Sequence, residues 1–152
     1  RSETQHHGGH AEQVHGVHQL MDLADIHCQA TAAREFTEVI EGATFTLRLP
    51  TRLDSRIALA RVLAVNEGET ANDVLAIRVE RESLVQAIVR WADVPLRWVL
   101  GDVEPADAPC EFDRSVIGLL LDERPDVAEK LGAALFSRIK EFNALRDTAA
   151  KN

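Results

Sequence analysis

Between residues 36 and 49 the chain alternates, and that alternation limits what it can become. Phe45, Leu47 and Leu49 are apolar, while Thr44, Thr46 and Arg48 between them are polar. This period of two is the signature of a strand with one buried face. Phe36, Thr37, Glu38, Val39 and Ile40 form a preceding strand, and Glu41-Gly42 fits the two-residue turn of a hairpin. Pro50 then stops the second strand. A hairpin alone is marginal in water, so its apolar face must be covered by helices or join another sheet. The sequence therefore predicts an α+β fold, mainly α-helical, with an N-terminal β-hairpin at about 36–49 packed on four to five helices.

Beyond the hairpin the period changes. Leu53, Ile57, Ala60 and Ala64 share a helical face flanked by Val62 and Leu63, and Asn66-Glu67-Gly68 closes that helix. A second helix starts between Thr70 and Asp73 and carries the stripe Val74, Ile77, Leu84, Ile88 and Trp91, with Val85 and Val89 beside it. Residues 74–79 also tolerate a strand reading, but a stripe of about five turns favours helix. Residues 92–111 hold Pro95, Pro105 and Pro109 among acids and read as a loop, with Trp98-Val99-Leu100 as a short apolar anchor. Asp113 is placed to cap a helix through Val116, Ile117, Leu120 and Leu121. Pro125 opens the last helix, whose stripe is Val127, Leu131, Leu135, Ile139 and Phe142, with Phe136 and Leu145 on its shoulder.

The domain reading is a flexible His-rich leader over residues 1–33 and a single α+β domain over 34–152. A short apolar series at Leu20, Leu23, Ile26 and Ala30 is compatible with one or two helical turns inside that leader. Met21 is the only methionine and the chain begins at Arg1, so residues 1–20 are read as a leader, linker or extraneous segment. All six histidines (His6, His7, His10, His15, His18 and His27) precede residue 28. They are open to two readings, a zinc, nickel or copper site or an incidental His-rich tail. The loose Gly8, Gly9 and Gly16 and the lack of a cysteine partner near Cys28 favour the second, so no metal and no cofactor is expected.

Composition narrows the function. The chain has 152 residues, 45% hydrophobic and 28% charged, and a net charge of −8. That charge disfavours nucleic-acid binding, which needs clustered cations against phosphate. No apolar run is long enough for a membrane span. Cys28 and Cys110 fit no metal or redox spacing, and sparse cysteine suits a reducing, cytoplasmic setting. No histidine follows His27, so a Ser-His-Asp or Cys-His arrangement has no base in the domain body. The glycines form no phosphate-cradling loop. The expectation is a non-enzymatic protein with no catalytic residues. Trp91 at the end of an apolar stripe is expected in the core; Trp98 is open to either core or contact.

Several short motifs add a family resemblance. Trp91-Ala92-Asp93-Val94-Pro95 is followed by Phe112-Asp113, which leads a helix with Leu119-Leu120-Leu121-Asp122, and then by Pro125-Asp126-Val127 and a helix running to Lys151-Asn152. With the hairpin before them, over residues 34–152, these resemble the tail assembly chaperones of tailed bacteriophages. The loop from Pro105 to Pro109 departs from that pattern in being more acidic and richer in proline. The resemblance implies a chaperone in the bacterial host cytoplasm that binds tape measure and tail tube proteins and leaves the finished particle. The alternative is a structural or adaptor subunit retained in a virion or other complex. The partner-binding residues it points to are Trp98, Leu100, Phe136 and Leu145, read as a helix-in-groove surface. Edge pairing of the hairpin leaves a homo-oligomer open.

Overall fold

The turn at Glu41-Gly42 sets the register on which the sheet is built. Both residues take positive φ, 50° and 88°, the combination that matches the right-handed twist of the flanking strands. Gly42 adopts this conformation at no steric cost. Strands β1 (Glu35–Ile40) and β2 (Ala43–Arg48) are therefore antiparallel, from Ile40 opposite Ala43 to Glu35 opposite Arg48. The computed structural model describes residues 22–65, 72–102 and 104–149.

Seven further elements complete the described chain: α1 (Leu23–Ala32), α2 (Arg52–Val65), α3 (Asn72–Ala87), β3 (Ile88–Ala92), α4 (Arg97–Leu100), α5 (Ile117–Glu123) and α6 (Pro125–Ala149). A single 3-10 turn, Arg114–Val116, leads into α5. The fold is α+β and mainly helical, as expected, but the described residues hold six α-helices and a third strand. The helical turns foreseen within the leader form α1, which buries none of its residues. The closing segment Asn66-Glu67-Gly68 and the histidines His6 to His18 lie outside the described residues.

The strand β3 corrects the expected long helix. It pairs with β2, giving the order β1-β2-β3, and places Trp91 opposite Phe45 and Ile88 opposite Leu47. The ladder passes from Thr46–Arg90 directly to Leu47–Ile88, which leaves Val89 as the extra residue of a bulge. In a regular strand, Ile88 and Trp91 would face opposite sides, being three apart. The bulge turns them to one side, and both are buried. A bulged strand thus imitates helical spacing, and the helix stops at Ala87.

As the central strand, β2 buries Ala43, Phe45, Thr46 and Leu47. The core is one cluster in which Ala43, Phe45 and Leu47 meet Leu84 of α3, Trp98 and Val99 of α4, Ile117 and Leu120 of α5, and Val127, Leu131 and Leu135 of α6. Pro125 does begin α6, and Ile139 and Phe142 continue its stripe as partly buried residues. Asp113 caps as expected, accepting the Ser115 N–H at 2.8 Å, but it opens the 3-10 turn rather than an α-helix.

Helix α2 departs further from expectation. It starts at a capping box in which the Asp54 N–H donates to Thr51 Oγ1 (3.1 Å) and the Thr51 N–H donates to Asp54 Oδ2 (2.6 Å). Its buried residues are Ala58 and Val62, while Leu53, Ile57, Ala60 and Ala64 are exposed. The reason is that α2 packs chiefly against α3, so only a narrow i, i+4 stripe is covered.

Residues 93–110 are a stapled excursion rather than a free loop. Pro95 bridges to Pro109, and the Cys110 N–H donates to the Val94 carbonyl at 2.7 Å. Trp91 closes the base by donating its Nε1–H to the Cys110 carbonyl at 2.9 Å.

Gly132 of α6 faces α3, and a Cβ there would meet Glu80 Oε1 at 2.9 Å and Leu84 Cδ1 at 3.9 Å. The Glu80 carboxylate is the end of an exposed, flexible side chain and can swing away. Relief of glycine's entropy cost inside a helix then dominates. Gly132→Ala is expected to stabilise the protein by about 0.5–1 kcal/mol. A lower thermal midpoint than wild type would show that the α3–α6 approach tolerates no methyl.

Candidate interaction surfaces

Seven large aliphatic residues exposed on α2 and α3 (Leu53, Ile57, Leu59, Leu63, Val65, Val74 and Ile77) mark the first departure from an ordinary surface. Exposed apolar residues gathered on one part of a protein mark contact surfaces more often than scattered ones do. One feature there is a groove of about 430 Å³ between α3 and the α5–α6 corner. Its floor is Ile77, Leu84, Leu121, Pro125 and Ala128, and its rim carries Glu80, Arg81, Asp122 and Glu129. Ile77 is 66% exposed, so an apolar side chain stands open to a partner.

The one cation among the described rim residues is already engaged. Arg81 grips Asp122 through two bonds, Nε to Oδ1 at 2.9 Å and Nη2 to Oδ2 at 2.8 Å, and also reaches the Gly118 carbonyl at 3.2 Å. The hydrogen bond with Asp122 raises the Arg81 pKa. Glu80 and Glu129 carry no ionic partner among the described residues, so the groove is apolar within an acidic rim.

The four residues that the sequence points to are scattered. Trp98 is 3% exposed and belongs to the core, which corrects its reading as a contact residue. Its indole lies beneath Arg124, whose guanidinium sits 4.2 Å from the ring centroid. Leu100 is exposed at the end of α4. Phe136 is 64% exposed, with Lys140 Nζ 5.8 Å from its ring. Leu145, 71% exposed, edges a small cleft with Ala33, Phe36 and Phe142. None of the four lines the groove at Ile77, whose stripe the sequence reading assigned to the interior.

Arg124 also ties the α5–α6 corner together. It holds Asp126 by two bonds (2.8 and 2.7 Å) and Glu41 of the hairpin turn by one (3.0 Å), and Lys130 joins Glu41 at 3.4 Å. The hydrogen bond from Arg124 lowers the Asp126 pKa to about 2 and is the first cause of the lowered pKa of Glu41. A turn of the sheet is thereby tied to the helix start beside the groove.

Cys28 and Cys110 are free thiols, and burial pushes the Cys110 pKa up. Among the described residues, no group of three or more His, Cys, Asp or Glu is placed to hold a metal ion. No described helix is long and apolar enough to cross a membrane. Compared with known protein families, curated proteins and solved structures, the chain matches none.

Proposed function

We propose that this protein is a non-enzymatic assembly chaperone that shields an apolar helical segment of a partner protein. The observation carrying the reading is the open apolar groove at Ile77, rimmed by Glu80 and Glu129. Such a groove suits the apolar stripe of an amphipathic helix with Lys or Arg at its edges. The residue resemblance refines this to tail assembly chaperone, with a tape measure protein as the shielded partner, a tail tube subunit as the recruited one, and the bacterial host cytoplasm as the setting.

The test is coexpression with an apolar tape measure segment that aggregates alone. Wild-type protein should keep the segment soluble and co-purify with it. Ile77→Asp should lose most of that effect while melting like wild type, because an exposed position contributes little to the fold. Equal solubilisation by Ile77→Asp, or none by wild type, would falsify the reading.

A further inference from the structure

We infer a second binding site, for an acidic peptide segment, in the cleft between the N-terminal end of α2 and the C-terminal turns of α6. This cleft of about 940 Å³ is remote in composition from the groove at Ile77 and shares none of its residues. Its apolar surface comes from Leu49, Ile139 and Phe142. Among the described residues, three guanidinium groups converge on it, from Arg34, Arg52 and Arg146, against one carboxylate, Asp147. In a chain of net charge −8, such a local surplus of cations runs against the overall charge.

The arginines divide into two kinds. Arg34 is structural: it donates to the carbonyls of Leu49 (3.1 Å) and Pro50 (2.5 Å) and lies 5.5 Å from the Phe142 ring centroid. It fixes the floor and adds charge to it. Arg52 and Arg146 are exposed and make no ion pair or hydrogen bond among the described residues. Asp54 is no competitor for them, because its carboxylate is engaged by Thr51 in the helix cap.

Two free guanidinium groups on opposite walls, with an aliphatic and aromatic floor between them, define the occupant. Guanidinium pairs with carboxylates through parallel bonds, and the floor accepts an apolar side chain. The matching ligand is a peptide carrying an apolar residue between two Asp or Glu residues. The attraction is electrostatic and should weaken as salt is raised.

A fluorescein-labelled peptide with leucine between two aspartates tests this by anisotropy on the full chain. Wild-type protein should bind it, and Arg52→Gln and Arg146→Gln should each weaken binding by about ten-fold. The same peptide with asparagines should bind no better than the double variant. Ile77→Asp should bind like wild type, which separates this site from the groove. No binding by wild type, equal binding of the asparagine peptide, or unchanged binding by both arginine variants overturns the inference. So does full competition by inorganic phosphate, which would make the site a simple anion hole. Circular dichroism on each variant checks that the fold is retained.

Discussion

Trp91→Ala is expected to cost about 3–5 kcal/mol, a large share of the roughly 5–15 kcal/mol that holds a domain of this size together. Trp91 is buried at the point where the sheet, the excursion and the start of the helical layer meet. Its ring makes edge-to-face contacts with Phe45 (centroids 6.4 Å apart) and Phe112 (4.9 Å). Its Nε1–H satisfies the Cys110 carbonyl, which anchors the return of the excursion to the sheet. Alanine removes both contributions and leaves a cavity. Trp91→Phe separates them in part, since it keeps a six-membered aromatic ring but deletes the donor together with the fused pyrrole ring; about 1–3 kcal/mol is expected from the lost hydrogen bond. Urea unfolding followed by far-ultraviolet circular dichroism reads both variants without relying on Trp fluorescence. A loss below about 1 kcal/mol for Trp91→Ala would mean that Trp91 does not seal this junction.

The same residue shows where the sequence was legible and where it was not. The hairpin could be read because alternation, a Glu-Gly turn and a terminating proline agreed. Helix α6 could be read because Pro125 and a continuous i, i+4 stripe agreed. At β3 the signals conflicted: the bulge at Val89 puts Ile88 and Trp91 three residues apart on one face, which is also what a helix does. Only knowledge of the partner strand breaks that tie. Helix α2 failed for another reason. Its apolar residues nearly encircle it, so periodicity did not say which face α3 would cover, and Ala58 and Val62 outrank larger neighbours. Trp98 was undecidable because its burial depends on Arg124 and on an excursion pinned at Pro95 and Pro109. The groove at Ile77 escaped for the converse reason. A stripe that continues into the core at Leu84 gives no sign that its first turns stand clear of the core.

Leu131→Ala should be the second severe change, at about 2–5 kcal/mol. Leu131 is fully buried on α6, between Val127 and Leu135 on the stripe that closes over the sheet and α3. Alanine's better helix propensity offsets only a few tenths of a kcal/mol, far less than the lost packing. Phe136, five residues later, is the control. It is larger than Leu131 but lies on the outer face, so Phe136→Ala should shift stability by no more than about 0.5 kcal/mol. The contrast tests the rotation of α6 about its axis, independent of any partner. Were the helix turned to bury Phe136, the two costs would exchange places in a denaturant titration. Because Arg124 and Lys130 tie this helix start to Glu41, that rotation also fixes Pro125 and Ala128 as groove floor. An inverted result would therefore remove the groove along with the packing.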